Sequence, residues 1–328
     1  MISRRAALFT SLLTALLVPT LASAQRIAGG PYAPVVLFLP ANTRLLAFGN
    51  TGVASRDDPL FYNPAQLVVG RGVSASFERF SSSSAGGSFS SITQFHGGGI
   101  GVGMSMVDYD APNNTFPGDR NTLLAHGPGG GTPIEAAVGI GQVIKGLRVG
   151  AVAKYVEENV PAQHIGRAAF DLGIAKDLAR IYTVGLVVQN IGSSMSVPCS
   201  LIPVSQQAPC TGGDESPPPS QTTNVHLPLR TTLGVSTGRD LGELDVSATA
   251  ALSLIRSNFL IPSGGAEVSY SWLDGYDIAL RAGGRRPVPG EGEFTAGAGF
   301  TMDRFTIDYA LETLAGSRVG HRVGLRIR

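Results

Sequence analysis

The sequence predicts an all-β chain: a transmembrane antiparallel β-barrel of about fourteen strands with an N-terminal hatch. Three observations predict it. From Arg71 onward apolar and polar residues alternate with a period of two, the mark of a strand with one greasy and one wet face. The connections between these segments are sorted, short ones alternating with longer ones. Charged residues are only 15% of the 328, against roughly 25% in soluble domains, while 43 are glycine, near twice the usual ~7%. The net charge of +1 provides no basic field for nucleic acid.

Residues 1–24 read as a cleaved export signal. Arg4 and Arg5 are its positive start, Ala6 to Leu17 its apolar stretch, and Ala22-Ser23-Ala24 its small-x-small cleavage site. The Arg4-Arg5 pair follows Ser3 as in a twin-arginine signal, but Ala7 stands where that motif carries a bulky residue, and an ordinary secretory signal is the favoured reading. Beyond it no apolar run reaches the ~18 residues of a membrane-spanning helix.

Residues 25–70 do not alternate. They hold Asp57-Asp58 and then Tyr62-Asn63-Pro64-Ala65. Proline forces Asn63 to be extended, and Asn caps its own turn. This compact piece is either a periplasmic tail or a segment folded inside the barrel; the lumen of so large a barrel favours the second.

Residues 71–328 form the barrel. Its strands are expected near 71–80, 86–95, 98–107, 134–144, 146–156, 165–177, 179–191, 227–237, 243–255, 264–272, 275–286, 291–302, 304–313 and 318–328, each near the ~10 residues of a tilted membrane strand. Short turns fall at His96-Gly97, Lys145-Gly146, Asp177-Leu178, 238–242, Leu273-Asp274 and Asp303; long loops fall at 108–133, 157–164 and 192–226. Short turns on one side and long loops on the other are how outer-membrane barrels are built.

With the apolar face outside, the wet face carries Arg148, Lys154, Asp171, Arg230, Asp245, Glu267, Asp277, Arg281, Glu293, Asp308, Glu312, Arg322 and Arg326. A water-containing lumen is expected to accept them, since charges are not buried unpaired. In the last hairpin, a turn at Gly316 sets Asp308 opposite Gly324 and Ala310 opposite Arg322. Arg322 and Arg326 are then diagonal neighbours of Asp308, and Glu312 lies near Arg322. Small inward residues, Gly101, Gly103, Gly139, Gly141, Gly297 and Gly299, leave room for another segment at the wall.

Cys199 and Cys210 lie in a polar, Pro-rich stretch, and in an exported protein such a pair reads as a loop disulfide. Five scattered His show no ligand spacing, so no metal or cofactor is expected. There is no Gly-x-Ser-x-Gly elbow, and no Ser/His/Asp set can be assigned. The expected role is not enzymatic.

The stretch Phe48-Gly49-Asn50-Thr51-Gly52-Val53-Ala54, two acidic residues and then Tyr62-Asn63-Pro64-Ala65 resembles the opening of the PorV/PorQ family, relatives of the FadL long-chain fatty-acid transporters. Asp171-Leu172-Gly173, Val188-Gln189-Asn190-Ile191-Gly192, Ala279-Leu280-Arg281-Ala282-Gly283 and Ile307-Asp308-Tyr309-Ala310 follow in the same order. The chain departs at Ile327-Arg328, where such barrels usually finish on an aromatic residue used by the barrel assembly machinery. The resemblance implies a fourteen-stranded barrel in an outer membrane, among lipid and lipopolysaccharide, with a hatch around the Asn-Pro-Ala turn. It leaves three roles open: hatch-gated passage for hydrophobic molecules, partnership with type IX secretion proteins, or a structural surface barrel.

Overall fold

The computed structural model describes residues 35–79, 84–108, 132–160, 163–179, 181–198, 222–255, 259–286, 291–314 and 318–328. Cys199 and Cys210 lie outside them, as does the export signal. The chain enters through a 3-10 turn at Val35–Leu37, short helices at Thr43–Ala47 and Pro59–Tyr62, and a 3-10 turn at Pro64–Val68. The strands are β1 (Gly72–Arg79), β2 (Ala85–Phe95), β3 (Gly98–Asp108), β4 (Ile134–Ile144), β5 (Leu147–Val160), β6 (Gln163–Leu178), β7 (Tyr182–Gly192), β8 (Met195–Pro198), β9 (Thr222–Val225), β10 (Arg230–Asp240), β11 (Leu244–Ile255), β12 (Phe259–Leu273), β13 (Tyr276–Arg285), β14 (Glu291–Met302), β15 (Phe305–Leu314) and β16 (Arg318–Ile327).

Fourteen of these close into one antiparallel barrel in chain order, β16 returning to pair with β1; β8 and β9 form a separate two-stranded sheet. Each barrel strand coincides with an expected segment. Two differences have local causes. The 157–164 stretch is not a long loop, because β5 and β6 run on through it with Val156 and Glu158 still buried inward. The β8–β9 sheet falls in the stretch expected to be loop, since four residues are too few to display a period of two.

Outward positions are apolar and exposed, such as Phe77 at 59% and Leu280 at 65%, while their inward neighbours Glu78 and Arg281 are buried. The apolar belt runs right round the barrel, far beyond the patch a water-soluble monomer exposes. It suits hydrocarbon. At the short-turn end Trp272 stacks on Phe300 with ring centroids 6.1 Å apart, as in an interfacial aromatic girdle.

Residues 35–70 lie within the barrel against its inward glycines. A Cβ on Gly99 would stand 2.0 Å from the Leu67 carbonyl oxygen, on Gly150 2.3 Å from the Pro64 carbonyl, on Gly173 2.0 Å from Asn63 Oδ1, and on Gly283 2.2 Å from the Gly49 nitrogen. Gly101, Gly103, Gly139, Gly141 and Gly297 likewise face segment atoms. Gly299 instead makes room for Arg281 and Asp308. Because glycine lacks a side chain, the segment's backbone reaches van der Waals contact with the wall.

Gly173→Ala therefore displaces Asn63. Limited proteolysis of the variant is expected to cut within 35–70 several-fold faster while the barrel keeps its heat-modifiable migration. Leu172→Val, on the outward face, should cut at the parent rate; equal rates for both variants would contradict the fit.

Candidate functional site: the filled lumen

The Asn63-Pro64 turn sits at the short-turn half of the lumen. Asn63 Oδ1 accepts from the Ala65 N–H at 3.1 Å, capping the 3-10 turn that Pro64 opens. Its Nδ2 donates to the Val53 carbonyl at 2.8 Å and to the Ile174 carbonyl at 3.3 Å. Tyr62 Oη donates to Asn50 Oδ1 at 2.7 Å. Tyr62, Asn63, Pro64 and Ala65 are all buried. Their roles are to shape the segment and fasten it to the wall.

The lumen charges form paired networks. Arg281 Nη1 donates to Asp308 Oδ1 at 2.7 Å, and Arg326 Nε to Asp308 Oδ2 at 2.7 Å. Arg281 also donates to Glu267, whose other oxygen takes Arg44 Nη2 at 2.6 Å. Asp57 collects Arg44, Arg326 Nη1 at 2.8 Å and Arg328 Nη2 at 2.6 Å. On the long-loop side, Lys154 Nζ lies 2.9 Å from Glu135 and 2.8 Å from Asp171.

The register of the last hairpin is the expected one, Asp308 opposite Gly324 and Ala310 opposite Arg322. Arg326 bonds Asp308 as expected. Arg322 does not: its Nε donates to Glu78 Oε2 at 2.7 Å, across the seam where β16 meets β1. Glu312 pairs with Arg285, not with Arg322. The expectation of solvated lumen charges is also corrected. Asp171 is fully buried, and Asp308, Glu312 and Arg322 are 3% exposed or less. Opposite charges offset their desolvation. Asp245 and Glu293 do remain exposed.

Sequence reasoning passed over Arg44, Glu78 and Glu135. The last two occupy inward positions of alternating strands, so parity alone could have found them. Arg44 lies in a segment without alternation and carries no such signal. Asp171 has a further task. β7 bulges at Asn190, whose φ of 61° is left-handed. The freed Asn190 N–H donates to Asp171 Oδ1 at 2.8 Å.

Between residues 36–41 and the wall lies a cavity of about 50 Å³. Val36, Leu39 and Phe61 line one side of it; Glu135, Lys154 and Gln189 line the other. It has room for a few waters.

The two neighbouring acids of the segment differ. Burial opposes the charge of Asp57, but Arg44, Arg326 and Arg328 outweigh it and hold its carboxyl well below the usual range. Burial pushes Asp58 up, despite hydrogen bonds from Ser90, Ser74 and Asn42. The stability contributed by Asp57 is present above its unfolded value and lost only as pH falls through the depressed one. Asp58 acts oppositely, its folded state favoured as it takes up a proton. Cooling of the melting transition on going from pH 7 to about pH 5, above the ordinary carboxylate range, is therefore not expected. Calorimetry of the detergent-solubilised protein checks it, and a transition that drops over that interval contradicts it.

No family model matches the chain, and no curated protein matches it. Solved structures do. The CymD monoaromatic hydrocarbon channel aligns over 88% of this chain and 97% of its own, with TM-score 0.55 and 10% identity. A Pseudomonas aeruginosa FadL homologue aligns over 90% and 99%, with TM-score 0.52 and 10% identity. The Ralstonia pickettii toluene transporter TbuX aligns over 92% and 99%, with TM-score 0.50 and 15% identity. At such identities the likeness establishes a shared fold, the closed outer-membrane-type barrel.

Proposed function

We propose that this protein is an outer-membrane barrel, exported on residues 1–24, that passes small uncharged hydrophobic molecules, with residues 25–70 as its hatch. The observation that carries the reading is the filled lumen. A fourteen-stranded wall encloses a wide interior, yet residues 35–70 pack against its inward glycines, and the cavity left beside residues 36–41 is about 50 Å³. An open porin would keep a water-filled path. Apolar side chains of residues 36–39 stand where a hydrophobic solute would enter.

The charge of the solute follows from Lys154. It is held between Glu135 and Asp171, so a carboxylate on that side of the cavity would meet a cation already neutralised and two like charges. An uncharged apolar molecule meets no such penalty. The likeness in fold to channels described as carrying monoaromatic hydrocarbons and toluene supports the same reading.

Uptake of radiolabelled toluene and benzoate into cells with an intact lipopolysaccharide leaflet tests it. Expression should raise toluene entry several-fold and leave benzoate unchanged, while Glu135→Gln, which removes one countercharge of Lys154, should admit benzoate. Equal entry of both solutes through the parent protein would overturn the charge argument. Entry of neither would overturn passage itself and leave the secretion-partner or structural role.

A further inference from the structure

The seam of the barrel, where the last strand meets the first, is its shortest ladder among the described residues. β1 and β16 share seven paired positions, Val73↔Ile327 to Arg79↔His321, whereas β5 and β6 share thirteen. Few ladder hydrogen bonds hold the place where the sheet must close.

The N-terminal segment straddles that seam twice, each time with two consecutive residues. At the lower level Asp57 accepts from Arg326 Nη1 and Arg328 Nη2 at the end of the chain. The next residue, Asp58, accepts from Ser74 Oγ of β1 at 2.7 Å and from Ser90 of β2. At the upper level the Pro40 carbonyl accepts from Arg322 of β16. The next carbonyl, of Ala41, accepts from Ser76 Oγ of β1 at 3.0 Å and from Ser88 of β2. Register places Ser74 opposite Arg326 and Ser76 opposite Gly324, so the two levels lie two residues apart on β1, at Ser74 and Ser76, and four apart on β16, at Arg326 and Arg322.

We infer that residues 40–41 and 57–58 are a staple that holds the barrel shut at its β1–β16 seam, a role separate from any passage. In each pair one residue takes the last strand through arginine and its neighbour takes the first two strands through serine hydroxyls. Arginine reaches far and carries charge, so it suits the strand that arrives last in the chain. Serine is short, and it brings the segment's backbone close to β1 and β2. Asp58 serves this arrangement at some cost: its φ of 42° is left-handed, and its carboxylate leaves the N-terminus of the Pro59–Tyr62 helix uncapped to face the serines.

Hydrogen–deuterium exchange on the full-length protein in detergent tests the staple. Asp57→Asn removes the β16 arm, and Asp58→Ala removes the β1–β2 arm. Each should speed amide exchange about tenfold in both 72–79 and 318–327, because releasing one arm frees the shared ladder. The β5–β6 ladder should exchange at the parent rate. Arg148→Met, which breaks a lumen pair far from the seam, should leave the seam protected. If either aspartate variant fails to fold, paired cysteines at the registered positions Ala75 and Leu325 should restore it by closing the seam covalently. Unchanged seam exchange in both aspartate variants, acceleration spread evenly over all strands, or failure of the cysteine pair to rescue would overturn the inference.

Discussion

A charge moved from water into a barrel lumen loses several kcal/mol of hydration unless a countercharge meets it. That constraint organises the interior of this protein. The inward faces of β12, β13, β15 and β16 carry Glu267, Arg281, Asp308 and Arg326, and Arg44 and Asp57 of the N-terminal segment complete their pairing. Without the segment, Arg326 and Arg328 would lose the carboxylate of Asp57. With it, these buried charges are paired. The segment is thus as much a part of the fold as the wall is.

Shape and charge both hold the segment. Residues 59–70 fit glycines of β3 to β6, where backbone meets backbone and side chains are excluded. Residues 40–58 are held by arginines and hydroxyls of β1, β2 and β16, by Glu267 of β12 through Arg44, and at residues 47–49 by the fit against Gly265, Gly283 and Gly297. Among the described residues, 36–39 show neither kind of fastening; they rest on apolar contacts with Val107 and Val156. Opening a path to the cavity therefore meets least resistance at residues 36–39, and most at Asp57.

Much of the wall was legible because lipid on one side and lumen on the other force a period of two on every strand. The same alternation, with one turn position, was enough to set Asp308 against Gly324. Gly101 and Gly139 could be read as room for a chain because glycine on an inward face offers nothing else. Gly299 looked the same and instead accommodates Arg281. Choice of ion-pair partner was not legible. Arg322 meets Glu78, 244 positions away, only because closure brings β16 beside β1, and no local pattern encodes which arginine turns to which carboxylate. Arg44 lies in a stretch without period, and the four-residue strands β8 and β9 are too short to show one.

The central claim is that the chain fills its own lumen, and steady ionic conductance in a planar bilayer tests it most directly. The intact protein should conduct little, because residues 35–70 pack into the lumen against the inward glycines of the wall, and deletion of residues 41–67 should produce a lasting open-pore current. A large, steady conductance from the intact protein would contradict the account.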